Sequence, residues 1–155
     1  MEILEALDRT RDETIRYFGL SGSELEKTYG PDKWSVRFLL HHLADSELVL
    51  AERIRRILSE RRKVLWAFDQ EDWARQLDYA AMPLELSRDI YAANRAGTRY
   101  LVAAHYEQLG DREWDHSEMG VRTLKMEMDK VAEHNEHHLA QIRAALNPAS
   151  GSTRT

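Results

Sequence analysis

Apolar residues recur every three to four positions along four long stretches of the chain, the period of an α-helix packed on one face. The first stretch runs from about Glu2 to Phe18, with Leu4, Leu7, Arg11, Ile15 and Phe18 along one stripe. The second opens at KWSVRF, where Ser35 suits an N-cap, and continues to about Glu60 through Leu39, Leu43, Leu50, Ile54 and Ile57. The third spans about Leu84 to Leu109, between Pro83 and Gly110, with Ile90, Asn94, Leu101, Val102 and His105 near its inner face. The fourth follows Gly120, covers about Arg122 to Leu146, and is stopped by Asn147 and Pro148. No segment alternates as a strand would, and no short repeat is present. The pattern predicts an all-α fold, a four-helix bundle in one domain over 1–147, with a disordered tail over 148–155.

The connections set the expected topology. Gly19 to Trp34 joins the first two helices, and Arg61 to Pro83 joins the second and third. Both are long for a bundle, where connections run about 2–8 residues. The second of them holds DQEDWARQLDY, which suits a short helix. A linker of that length can run back along the preceding helix, so that the third helix points the same way as the second. The expected bundle is therefore up-down-down-up with long crossover connections.

Composition narrows the class. The chain has 155 residues, 43% hydrophobic and 32% charged, as in an ordinary soluble globular protein. Cysteine is absent, which suits a reducing cytoplasm and limits any metal site to His, Asp or Glu. The N-terminus MEILEALDRTRDE lacks a signal-peptide apolar region, and no apolar run reaches the ~18 residues of a membrane span. A net charge of -5 gives no general attraction to nucleic acid. The basic run RIRRILSERRK at 53–63 reads as a solvated helix end rather than a phosphate patch, because Ile54, Ile57 and Leu58 interleave at core spacing.

Candidate chemistry lies in the histidines. His134 and His138 stand four apart on the fourth helix, so both imidazoles can face one ion. A polar helix face that merely carries histidines is the bland alternative. Val131, Leu139 and Ile142 around the pair place it at the edge of the core, where imidazole nitrogens need partners. The metalloprotease pattern His-Glu-x-x-His fails, because Asn135 holds the Glu place and Glu136 is rotated away. A third ligand must come from another helix, and His42 in LLHHLADSE is the candidate. His42 lies about 10 Å from the start of its helix, and the pair about 12 to 20 Å from the end of theirs, levels that match if the two helices are antiparallel. His41 and His137 are turned off these faces. His105 reads as a core-edge residue, and His116 as a loop residue before the fourth helix.

The chain resembles the DinB/YfiT-like superfamily of metal-binding four-helix bundles. The resemblance rests on KWSVRFLLHHLADSE at 33–47 and MGVRTLKMEMDKVAEHNEHHLAQIR at 119–143. The family pattern falls on Trp34, Ser35, His42, Leu43, Asp45, Gly120, Thr123, Leu124, His134, His138, Gln141 and Ile142. The resemblance implies the up-down-down-up bundle, a divalent ion on His42, His134 and His138, and a homodimer. Relatives of this kind include bacillithiol-using thiol S-transferases and a mycothiol-dependent maleylpyruvate isomerase.

Three neutral imidazoles leave a metal its charge and an open position, which suits activation of a thiol or of a water. Zn and Ni are the ions expected first, with a low-molecular-weight thiol as co-substrate. Asp45 and Gln141, each one turn from a candidate ligand, are candidates to orient a ligand or a bound water. The expected protein is a cytoplasmic metal-dependent enzyme of a small-molecule substrate, thiol S-transferase before hydrolase, without nucleic-acid or membrane partners. The rival is a non-catalytic bundle that binds a metal or small molecule in a stress response.

Overall fold

The structure, a computed structural model, describes residues 2–147, so the tail expected over 148–155 lies outside the described residues. In chain order the elements are α1 (Glu2–Tyr17), α2 (Gly22–Leu25), α3 (Val36–Ser59), β1 (Val64–Leu65), α4 (Gln70–Gln76), α5 (Leu84–Leu109), β2 (Glu113–His116), β3 (Gly120–Thr123) and α6 (Leu124–Leu146). The helix starts follow from local chemistry. The Ser35 side chain accepts from the Phe38 amide and caps α3, and the Thr123 side chain accepts from the Met126 amide and caps α6. The expected short helix in the second crossover is α4, capped by the Asp69 side chain.

Side-chain pairs give the helix directions. His41 meets Ser87 and Glu47 meets Arg95, so α3 and α5 run parallel. His42 meets His138 and Arg53 meets Glu127, so α3 and α6 run antiparallel. Thr10 meets Arg95 and Asp8 meets Arg99, so α1 opposes α5. The bundle is up-down-down-up, as the connection lengths predict, and α3–α5 is the parallel pair that the long crossover permits.

The core has two apolar halves with a polar layer between them. One half gathers Leu7, Leu50, Ile54, Val102, Trp114, Leu124 and Met128. The other gathers Val36, Leu39, Leu40, Leu43, Tyr91 and Ile142. Between them Arg95 is fully buried, and all five of its N–H donors are used. They go to both Glu47 carboxylate oxygens, the Leu7 carbonyl, Thr10 Oγ1 and Asn135 Oδ1, at 2.6–3.0 Å. Asn135 also accepts from Tyr91 Oη and donates to Thr14 Oγ1. This one network ties all four long helices together.

Three expectations need correction. The inner face of α5 is Ser87, Tyr91, Arg95, Thr98 and Val102, rotated from the predicted one. The stripe was masked because an arginine and a threonine occupy its centre. Secondly, a small three-stranded sheet exists, with β1 parallel to β2 and β2 antiparallel to β3. Its strands have two to four residues, too short to show alternation. Gly120 takes a φ of 73° at the hairpin, a conformation that favours glycine. Thirdly, Arg53 in the basic run is not solvated. It is buried, pairs with the buried Glu127 at 3.2 Å and donates to the Trp66 carbonyl at 2.5 Å. Among the described residues no helix is long and apolar enough to cross a membrane.

Candidate metal centre

His42 lies two turns into α3, and His134 and His138 occupy successive turns of α6 on the face toward α3. The antiparallel crossing brings the three rings together. His42 Nε2 is 3.2 Å from His134 Nε2 and 3.1 Å from His138 Nε2, and the latter two nitrogens are 3.2 Å apart. His42 is 1% exposed and His138 8%, while His134 is half-buried at the rim. The edge of Trp34 packs on the His42 ring at 5.1 Å between centroids, and Phe68 stacks on it at 6.3 Å.

The protonation chemistry suits a cation. The His138 Nδ1 lies 2.7 Å from Gln141 Oε1, and an amide oxygen only accepts, so Nδ1 carries the proton and Nε2 presents a lone pair to its neighbours. Burial disfavours the charged form of each ring. It pushes His42 down to about 3, with a smaller contribution from His138. Burial and then the two neighbouring rings push His134 down to about 2. Burial also lowers His138, partly offset by the Gln141 hydrogen bond. Neutral rings need lose no proton to ligate. Ligand nitrogens at about 2.0–2.1 Å from a tetrahedral zinc ion lie about 3.3–3.4 Å from one another. The observed 3.1–3.2 Å is close to that spacing. The donor set therefore fits one divalent ion. Among the described residues no fourth His, Asp or Glu joins the group.

A cleft of about 460 Å³ opens beside the cluster. Its lining includes His134, His138, Gln141, Trp34, Tyr29 and Glu71. The α3–α5 crossover supplies one wall through Gln70 and Glu71 at the start of α4, and its Phe68, beside His42, packs on Trp73 at 4.9 Å between centroids.

The two candidate orienting residues have different surroundings. Gln141 bonds His138 and also lies 3.2 Å from His137 Nε2. Asp45 is buried, and its carboxylate accepts from Tyr79 Oη, which anchors the crossover on α3. Burial raises the Asp45 pKa, partly opposed by that hydrogen bond. The hydroxyl near His42 is that of Ser46, whose Oγ is 3.3 Å from His42 Nε2. Ser46 stands one turn from His42, a spacing that marks it in the sequence, whereas Phe68, Trp73 and Tyr79 carry no local signal.

The remaining histidines lie outside the three-ring cluster, although His137 lines the cleft. His41 is fully buried, with Nδ1 2.7 Å from Ser87 Oγ. His116 is a buried residue of β2, not a loop residue, and its Nδ1 accepts from the amides of Glu118 and Met119. His137 is exposed and His105 half-buried. Glu136 is engaged by Arg9 and Arg143 at the surface.

Fold and cluster together define a four-helix bundle built around a three-histidine site. The chain belongs to the DinB superfamily, whose family model matches residues 6–142. It is 34% identical over 149 residues to a provisionally named metal-dependent hydrolase of Oceanobacillus iheyensis, covering 96% of this chain and 84% of the relative. A similarly named protein of Halalkalibacterium halodurans is 29% identical over 123 residues, covering 79% of this chain and 71% of the relative. The solved structure of YfiT from Bacillus subtilis, described as an unusual four-helix bundle and provisionally as a metal-dependent hydrolase, matches with a TM-score of 0.84. That match is at 22% identity and covers 94% of this chain and 84% of YfiT, which shows the shared fold.

Proposed function

We propose that this protein is a divalent-metal-dependent enzyme in which His42, His134 and His138 hold the ion and a small-molecule thiol is the activated nucleophile. The observation that carries the reading is the convergence of three buried or half-buried Nε2 atoms beside an open cleft. A divalent ion held by three neutral imidazoles supplies Lewis acidity at an open position, which lowers the pKa of a bound thiol or water.

A thiol asks less of the surrounding residues than water does. Hydrolysis gains from a group that takes a proton from the attacking water and returns it to the leaving group. The buried carboxylates nearest the ligands are engaged, Asp45 by Tyr79 and Glu47 by Arg95, which leaves Asp32 and Glu71 on the cleft lining as the carboxylates that could serve an attacking water. A thiol has only to lose its own proton to become a strong nucleophile. Gln141 fixes the tautomer of His138, and Trp34 and Phe68 shield His42 from water. Hydrolysis is the second reading, supported by the names of the relatives.

The test loads the full chain with Zn or Ni. It follows loss of a low-molecular-weight thiol against a chlorinated aromatic electrophile, beside ester hydrolysis. Metal-dependent thiol consumption that disappears in folded His138→Ala supports the proposal. Metal-dependent ester cleavage alone would transfer the assignment to hydrolase, and neither activity across a broad screen would leave a binding protein.

A further inference from the structure

Ser46 is 3% exposed, on the α3 turn after His42, and its Oγ has one hydrogen-bond neighbour, His42 Nε2 at 3.3 Å. That nitrogen is one of the three that converge. When its lone pair is given to an ion, the serine loses its partner, and a buried hydroxyl without a partner is unfavourable. The competing acceptor is the His42 backbone carbonyl one turn back, of the kind that Thr10 and Thr14 use on α1, and the side chains nearby are committed elsewhere. Asp45 is bound to Tyr79, Glu47 to Arg95, and Trp34 and Phe68 present aromatic surface to the His42 ring. Three histidines leave a position open for a ligand from solution.

We infer that the Ser46 hydroxyl donates a hydrogen bond to the ligand that fills this position, and so favours ligands with an anionic donor atom, such as a thiolate or carboxylate. The inference rests on the metal reading proposed above. Ser46 is then a contact of the bound ligand and not a ligand of the ion. It selects for charge at the ligating atom, whichever reaction follows.

The experiment uses the full chain loaded with Co(II), whose visible absorption reports the ligands, and azide as the anionic probe. Wild type, Ser46→Ala and Ser46→Thr are titrated, first with Co(II) and then with azide. Ser46→Ala is expected to hold Co(II) within about threefold of wild type and to bind azide about tenfold more weakly, the loss of one hydrogen bond to a charged group. Ser46→Thr, which keeps the hydroxyl, is expected to restore azide binding. Equal azide affinity in wild type and Ser46→Ala overturns the inference and leaves the metal site intact. So does a wild-type Co(II) spectrum that azide does not change. Failure of wild type to take up Co(II) removes the metal reading itself, and the inference with it.

Discussion

Replacing Arg95 by methionine removes the one cation in the polar layer of the bundle while keeping much of the side-chain volume. The consequences follow from its contacts. Glu47 is 3% exposed on its side chain and holds Arg95 through both carboxylate oxygens, at 2.9 and 2.8 Å. Without the guanidinium that carboxylate is buried and unpaired, and Thr10 and Asn135 each lose a donor. Breaking a buried pair from one side costs about 3–5 kcal/mol. For a domain of this length each kcal/mol lowers Tm by about 2–4 °C, so Arg95→Met is expected to lower it by roughly 6–20 °C. Circular dichroism at increasing temperature and in urea measures this. The double variant Arg95→Met with Glu47→Met removes both charges, and is expected to recover at least about 1 kcal/mol relative to Arg95→Met alone. A loss below about 1 kcal/mol in Arg95→Met, or no recovery in the double variant, would refute the view that a paired ion network holds the four helices in register.

Two further outcomes are expected. Gln141→Ala frees the His138 ring, so zinc affinity measured by competition with a chelator should fall about 10–100-fold; an unchanged affinity would show that Gln141 does not orient the ligand. Glu13 is held below its ordinary carboxylate range chiefly by hydrogen bonding to Arg143, at 2.5 and 2.6 Å. A lowered folded value means that the ionised pair stabilises the fold above the ordinary carboxylate pKa and stops doing so as pH falls through the folded value. The stability gap between wild type and Glu13→Gln should therefore be about 1 kcal/mol near neutral pH and close in acid, as pH falls through the lowered folded value. A gap that does not change with pH would assign the difference to packing.

Much of the fold was legible because helix boundaries depend on local chemistry. Ser35 caps α3 as its position in KWSVRF predicts, and α5 spans Leu84–Leu109 between the expected proline and glycine. Thr123 and not Arg122 marks the start of α6, because residues Gly120–Thr123 are first used as a strand. The approach of His42 to His134 and His138 was also legible, since helix rise fixes their depths and the long crossover fixes the helix directions. The inner face of α5 was not. Its centre is Arg95, and a fully buried arginine breaks the rule that polar residues face water; only the partners on three other helices explain it. Ser46 was missed as a neighbour of His42, although its spacing permitted it. Tyr79 on Asp45, and Phe68 beside His42, depend on how a crossover of more than twenty residues lies on the bundle, and no local pattern encodes that.

The central claim is that three histidines from two helices hold one divalent ion. Metal analysis of the purified, tag-free chain tests it most directly, beside His42→Ala and His134→Ala variants whose circular dichroism shows the native helix content. The account predicts about one equivalent of a divalent metal in wild type, bound or taken up from added Zn or Ni, and loss of that metal in both variants. No metal uptake by wild type, or full retention in either variant, would contradict it.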